Sequence, residues 1–186
     1  MSTHPTKRWF SVQDFHRMVE TGILTEDDRT ELIAGVVISM SPFGSRHAAC
    51  VKRFNALLSR QLLGKVIIGV QDPIQLDSFT EPQPDLSILQ FRDDFYAEQH
   101  PRAREVLLLI EVSDLSLSYD RDTKLPLYAQ AEIPEVWIVD LTAEKILAYQ
   151  QPKAGKYEVQ ETYTATTKLT SVAGFPVEIN LSTIFD

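Results

Sequence analysis

Two carboxylates stand where metal-assisted chemistry could use them. Asp85 follows Pro84 at the start of an apolar stretch, and Glu111 lies near the end of the Leu-rich run 106–110. An ionised carboxylate in apolar surroundings is costly unless it is paired or binds a metal ion. If the two stretches are neighbouring strands, both carboxylates meet at one edge of a sheet. Together with water they suit Mg²⁺ or Mn²⁺, which can polarise a phosphodiester and lower the pKa of a bound water.

A positive group could complete this site, and Lys124 is the candidate. It lies near the start of the helix predicted after Glu111, and a strand-loop-helix connection can return it to the strand end. There it would stabilise negative charge on the phosphate or help to orient the attacking water. The spacing leaves an alternative open, because Asp120 and Lys124 stand at i and i+4, as in a surface ion pair on one helix face.

Three further residues could take part in chemistry. Glu31 stands between a polar loop and an apolar strand, where it is either a site carboxylate or an exposed charge. His47 begins a helix after the loop 41–45, either as a structural or capping residue or as a contact to phosphate or metal-bound water. Cys50 falls in an apolar helical pattern, which predicts a buried core residue rather than a nucleophile. As the only cysteine, it excludes an intrachain disulfide and a multi-cysteine zinc site.

The elements that must position these residues predict an α/β fold with a mixed sheet. Strands are predicted over residues 31–40 with a break around Gly35, then 65–70, 73–76, 85–90, 105–112 and 134–140, with a hairpin over 145–150 and 156–162. Helices are predicted over residues 11–20, 46–63 and 119–131, with helix and loop over 92–104 and a short closing segment over 181–185. The elements do not alternate strictly, and no Gly-rich phosphate loop follows a strand, which argues against a Rossmann fold and a P-loop.

Length and charge limit the class of protein. The 186 residues suit a single domain over 1–186 with a proper core. A net charge of −8 argues against a protein whose whole surface binds DNA. Basic residues do gather between positions 46 and 65, where they form either a local contact surface for DNA or simply a solvated helix face. The longest apolar run, 106–110, is too short to cross a membrane, and the polar N-terminus has no signal core. We therefore expect a cytoplasmic protein.

Six stretches, in order and at matching separations, resemble one known family. They are residues 24–33, 40–47, 83–86, 110–113, 119–124 and 133–140. Over residues 9–185 the chain resembles the Uma-two family of restriction endonucleases, within the PD-(D/E)XK nuclease superfamily. The resemblance implies a restriction-endonuclease-like fold in which helices flank a mixed central β-sheet. It also implies divalent metal at the acidic edge, phosphodiester hydrolysis and frequent homodimers.

The resemblance assigns roles to the candidate residues. Asp85 matches the PD aspartate, and Glu111 matches the acidic residue of the (D/E)XK element. Ser113 replaces the lysine two positions after that residue, but the family commonly carries a lysine on the next helix, where Lys124 stands. Glu31 matches an early glutamate, and His47 matches a histidine after the Pro-Gly loop.

The chain also departs from the family pattern. Where the family often has Asp-Gly-Glu, residues 34–36 read Ala-Gly-Val, and Glu132 occupies a position that is usually glycine. A helix end at Glu132 that requires positive φ would be mildly strained.

Two functions stay open. The first is a Mg²⁺-dependent endonuclease acting on DNA. The alternative is a weak or inactive nuclease-fold module that binds protein or nucleic acid. The presence of Asp85, Glu111 and Lys124 together favours catalysis, since a decayed site would be expected to lose at least one of them. Hydrolysis of small phosphoesters is a third, weaker idea, because nothing in the chain suggests a dedicated small-molecule pocket.

Overall fold

The computed structural model describes residues 7–185 of the chain. Its strands are β1 (Thr30–Ile33), β2 (Val36–Ser39), β3 (Val66–Val70), β4 (Leu86–Gln90), β5 (Val106–Ser113), β6 (Glu135–Asp140), β7 (Lys145–Lys153), β8 (Lys156–Thr164), β9 (Lys168–Val172) and β10 (Phe175–Asn180). Its α-helices are α1 (Val12–Glu20), α2 (Ser45–Leu62), α3 (Leu117–Tyr119), α4 (Leu125–Gln130) and α5 (Ser182–Phe185). Within these residues, no helix has the length and apolar character needed to cross a membrane.

A six-stranded mixed sheet forms the centre of the fold. Its strand order is β3-β4-β5-β6-β7-β8, and every neighbouring pair is antiparallel except β5 and β6, which are parallel. A parallel pair needs a crossover connection, and here it is the helical segment that contains α3 and α4. Two antiparallel hairpins, β1-β2 and β9-β10, lie outside this sheet. The predicted α/β fold with a mixed central sheet flanked by helices is confirmed.

The central sheet buries both of its faces. Along β6, Trp137 and Val139 point into the core cluster that contains the apolar face of α2, whereas Val136 and Ile138 point into a second cluster that contains Tyr128 of α4. This alternation follows from the two-residue period of a strand. A strand covered on both faces has apolar residues at nearly every position, which explains the continuous apolar runs of β5 and β6.

Three residues at helix ends have a backbone geometry or capping bonds typical of such positions. Ser11 caps α1, with a reciprocal capping box to Asp14. Gly64 follows the end of α2 with φ +72°, a left-handed conformation that glycine adopts at little cost. Glu132 has φ +58°, so the position where the family usually has glycine does require a left-handed conformation.

Three predictions of secondary structure are wrong or incomplete. Residues 73–76 form no strand, because their backbone N–H groups bond two different segments, one at Thr80 and Pro82 and the other at Pro101, and no continuous ladder results. Residues 92–104 contain no α-helix, and only a 3₁₀ turn, Ala103–Glu105, forms at their end. The hairpin β9-β10 was not predicted.

Cys50 lies in the core on the α2 side of the sheet, as predicted, and is 1% exposed. Burial raises the pKa of its thiol to about 12, which disfavours the reactive thiolate. We expect the native protein to react with iodoacetamide at pH 8 at least roughly 100-fold more slowly than free cysteine. The same protein in guanidinium chloride is the control and should react at the free rate. Equal rates in both conditions would contradict the buried position.

Candidate active site

The strand register brings Asp85 and Glu111 together. Leu86 of β4 pairs with Ile110 of β5 in an antiparallel ladder, so the next residue outward on each strand, Asp85 and Glu111, face one another at the sheet edge. The backbone N–H of Val112 donates a hydrogen bond of 2.8 Å to Asp85 Oδ2. The two carboxylates predicted to be neighbours therefore lie side by side, where β4 begins and β5 approaches its end.

Two side chains hold the Asp85 carboxylate. His47, in the first turn of α2, places Nε2 3.0 Å from Asp85 Oδ2, and Gln71 donates from Nε2 to Oδ1 at 3.2 Å. Because an ionised carboxylate only accepts, the His47 Nε2–H is the donor. His47 is buried, and its Nδ1 has no hydrogen-bond partner among the described residues. His47 therefore contacts the Asp85 carboxylate, and its contact with phosphate or metal-bound water stays a prediction.

Lys124 reaches the same strand end from the helical segment. Its Nζ lies 3.1 Å from Glu111 Oε1 and 3.1 Å from Glu31 Oε2, and the side chain is 5% exposed. The alternative of a surface ion pair with Asp120 is wrong. Asp120 is itself buried and accepts hydrogen bonds from Ser113 and Ser116. Ser113 thus supports a neighbouring carboxylate.

A wide helical turn places Asp120 and Lys124 towards the sheet. Asp120–Lys124 is π-helical, with the N–H of Leu125 donating to the carbonyl of Asp120 five residues earlier. Such turns are rare and occur frequently at functional sites. Both side chains are buried within this one turn. The turn therefore brings an ammonium and a carboxylate inward together.

Glu31 is buried in the site rather than exposed at a strand end. It is 1% exposed and accepts hydrogen bonds from Tyr119 and from the backbone N–H of Gln83, in addition to its contact with Lys124. Tyr128 donates to Glu111 Oε1. Sequence reasoning missed both tyrosines and Gln71. The signal for Tyr128 was its position four residues after Lys124, on the same helix face.

Burial and like charges dominate the electrostatics of the site. Burial raises the pKa of Glu111 to about 8, opposed by Lys124 and reinforced by the charges of Asp120 and Asp85. Burial also raises the pKa of Asp120. For Lys124, burial alone would lower the pKa, but Glu111 and Glu31 outweigh burial and raise it, so the amine stays protonated. One ammonium thus faces several carboxylates, an arrangement that a further cation would stabilise.

A cavity of about 440 Å³ opens over this strand end. The five residues to which the family resemblance assigns roles all line it, namely Glu31, His47, Asp85, Glu111 and Lys124. The structure therefore brings these five together from β1, α2, the residue before β4, β5 and the π-helical turn.

The donors in this cavity fit a hard divalent cation. Lys124 and Tyr128 both bond Glu111 through Oε1, so Glu111 Oε2 has no hydrogen-bond partner among the described residues, and Asp85 lies across the ladder from it. Within residues 7–185 no three His, Cys, Asp or Glu side chains are grouped so that they could hold a metal ion. The protein would supply two carboxylates, and water the remaining ligands, as Mg²⁺ commonly accepts.

Comparisons with known proteins agree with this geometry. A family model, Uma2, described as "Putative restriction endonuclease", matches residues 12–183. The chain is also similar to a crystal structure of "a putative nuclease belonging to DUF820" from Anabaena variabilis, with a TM-score of 0.73 and 14% identity over 95% of this chain and 97% of that chain. At that identity the likeness shows the fold alone. None of the curated proteins matches the sequence. Since the family model spans nearly the whole sequence, the chain belongs to the Uma2 family.

Proposed function

We propose that this member of a nuclease family is a Mg²⁺- or Mn²⁺-dependent endonuclease that hydrolyses phosphodiester bonds of DNA. The observation that carries the proposal is the position of Asp85 opposite Glu111 at one strand end, with Lys124 Nζ 3.1 Å from Glu111. Two acidic oxygens beside an ammonium, at the wall of an open cavity, form a site that suits a metal ion and a phosphate together.

Asp85 and Glu111 are the residues that would hold the divalent cation. The cation would supply polarisation of the phosphodiester and activation of a bound water. His47 and Gln71 keep Asp85 in place, since both donate to its carboxylate. Tyr128 fixes the other carboxylate by donating to Glu111 Oε1.

Lys124 stabilises the negative charge that develops on the phosphate. A protonated lysine has three N–H donors, and the contacts with Glu31 and Glu111 take up two of them. The third can reach a phosphate oxygen in the cavity that Lys124 lines. Because the amine is already held between two glutamates, it needs no reorganisation when the charge develops.

The proposal extends to the setting of the reaction. It takes residues 1–186 as one domain, as the length of the chain suggests, and places the reaction on DNA in the cytoplasm. It also takes the protein as a homodimer, as the family resemblance implies. A two-fold dimer would present two equivalent cavities, which suits the two strands of a duplex.

Nicking of supercoiled plasmid DNA tests the proposal. We expect the wild-type protein to convert supercoiled to open-circular DNA with Mg²⁺ or Mn²⁺, and not with excess EDTA. Glu111→Gln, purified in the same way, is the control for contaminating nucleases and should lose the activity, because a neutral amide is a much weaker metal ligand. Equal nicking by both proteins, or none by the wild type with either cation, would reject the catalytic site and favour the non-catalytic binding module.

Hydrolysis of small phosphodiesters is a second candidate, favoured by the cavity volume of about 440 Å³, which falls in the range of small-molecule pockets. Bis(p-nitrophenyl) phosphate, with the same cations, separates the two functions. Turnover of this ester without nicking of DNA would favour the small substrate.

A further inference from the structure

Arg29 lines the cavity and packs on a stack of aromatic rings. Its guanidinium carbon lies 4.3 Å from the centroid of the Phe43 ring. That ring stacks on His47, with centroids 4.9 Å apart and planes at 19°. His47 in turn donates to Asp85. A guanidinium packed on an aromatic face is fixed in position more firmly than a free surface side chain. The stack therefore connects Arg29 to the proposed metal site.

The guanidinium of Arg29 keeps its donors free. Among the side chains that the structure describes, that of Arg29 enters no hydrogen bond or ion pair, although carboxylates line the same cavity. Lys124, the other cation that lines the cavity, is engaged by two glutamates. A planar guanidinium presents N–H donors in a fork that matches two oxygens of a phosphate. Arg29 is therefore equipped to bind an anion that the protein itself does not provide.

The backbone at Arg29 is strained in a way that fixes this placement. Its φ is +42°, in the left-handed region that residues other than glycine rarely adopt. The N–H of Met40 donates to the carbonyl of Arg29 at 2.9 Å and helps to hold the conformation. Arg29 directly precedes β1, which carries Glu31 of the site. Strain of this kind clusters at ligand-binding positions.

We propose that Arg29 binds a phosphate of the substrate backbone beside the bond that is cleaved. The inference rests on the proposed nuclease function and adds a substrate contact to it. Phosphate fits better than a base edge for two reasons. The Phe43 ring covers one face of the guanidinium, and Arg29 lines the cavity in which Lys124 would contact the reacting phosphate. Every nucleotide carries a phosphate, so one next to the cleaved bond is within reach of this cavity whatever the base sequence of the DNA.

Binding of DNA without cleavage tests this contact. Two fluorescein-labelled duplexes of unrelated sequence are titrated by anisotropy in Ca²⁺, which takes the same oxygen ligands as Mg²⁺, and gels confirm that the DNA stays intact. Arg29→Ala should weaken binding to both duplexes by roughly tenfold and reduce the salt slope by about 0.9, the value for one lost phosphate contact. The affinity of Arg29→Lys for DNA should lie between those of the wild type and Arg29→Ala, since lysine keeps the charge and loses the planar fork.

Three matched variants sharpen the result. Arg29→Gly removes the same side chain and relieves the positive φ, so it should stay folded and bind as weakly as Arg29→Ala. Phe43→Ala changes no charge but removes the support, and should also weaken binding. Arg17→Ala removes one exposed charge that pairs with Asp14 on α1, and should bind as the wild type does.

The outcomes separate this inference from the proposed function. Equal affinity of wild type and Arg29→Gly would overturn the inference, while metal-dependent nicking would keep the nuclease proposal standing. A loss on only one of the two duplexes would overturn the phosphate assignment in favour of a base contact. A wild-type protein that binds neither duplex would overturn the inference and the proposed DNA substrate together.

Discussion

Asp85→Asn is expected to lower the rate of DNA nicking by at least about 1,000-fold, a loss of about 4 kcal/mol of transition-state stabilisation. The reason is that the substitution removes one of two carboxylates that face each other across the ladder between β4 and β5. A neutral amide oxygen binds a hard cation far more weakly than a carboxylate. Single-turnover nicking of supercoiled plasmid at saturating Mg²⁺ measures the loss.

The same substitution should leave the fold nearly intact, with a melting temperature within about 3 °C of the wild type. Asp85 Oδ2 accepts from His47 and from the N–H of Val112, and the oxygen of an asparagine amide can accept both bonds. The amide N–H₂ then faces Gln71, whose side chain can rotate by half a turn and offer its oxygen instead. Every buried donor keeps an acceptor, so the loss of activity can be separated from unfolding.

Asp114→Asn provides the matched control for Asp85→Asn. Asp114 lines the same cavity, so its substitution changes the charge of the cavity by the same amount without touching the facing pair. We expect Asp114→Asn to retain most of the nicking rate. Equal losses in both variants would indicate that only the net charge of the cavity matters, and would contradict direct metal binding by Asp85.

The main residues of the site could be predicted because they are charged side chains within or beside apolar stretches of the sequence. A carboxylate at the end of a buried strand, such as Glu111, needs a partner, and that need is visible in the sequence. The pairing of Asp85 with Glu111 required one further fact, that their strands are adjacent. Only the register of the ladder, with Leu86 opposite Ile110, supplies that fact.

The rest of the site depends on contacts between distant segments, which no local pattern encodes. From the sequence, Glu31 could be an exposed charge at a strand end. Only the packing of β1 beside Lys124, which is 93 positions further along the chain, shows that Glu31 is part of the site. The proposed role of Arg29 depends on its packing against Phe43, which joins two separate loops. Residues 73–76 show the converse, since a strand-like pattern forms no ladder when its backbone groups bond different neighbours.

Lys124→Met is expected to lower the free energy of unfolding by about 3–5 kcal/mol, the usual loss when one partner of a buried ion pair is removed. The substitution leaves Glu31 and Glu111, both nearly fully buried, without the ammonium that lies 3.1 Å from each. Urea denaturation followed by tryptophan fluorescence measures the change, because Trp137 lies in the core. Lys153→Met, which breaks an exposed pair with Glu158, is the control and should change stability by less than about 1 kcal/mol.

A triple variant separates the role of Lys124 in stability from its role in catalysis. Adding Glu31→Gln and Glu111→Gln to Lys124→Met removes the uncompensated charges, so more than half of the lost stability should return. Nicking should stay absent, because the ammonium and one metal ligand are both missing. A triple variant no more stable than Lys124→Met would show that the methionine disturbs packing rather than charge.

The pH dependence of the stability of Lys124→Met independently tests whether the buried glutamates cause the destabilisation. Burial already raises the pKa of Glu111 to about 8 with Lys124 present, against 4.5 for the free group, and losing the lysine raises it further. Between these pH values the folded state binds more protons than the unfolded state, so the stability of the variant must rise as the pH falls. The wild type takes up this proton only near pH 8, whereas the variant takes it up at higher pH. The gap between Lys124→Met and the wild type should therefore narrow as the pH falls from about 10 to about 8, and stay constant below that. A gap independent of pH would mean that the destabilisation does not come from the buried glutamates.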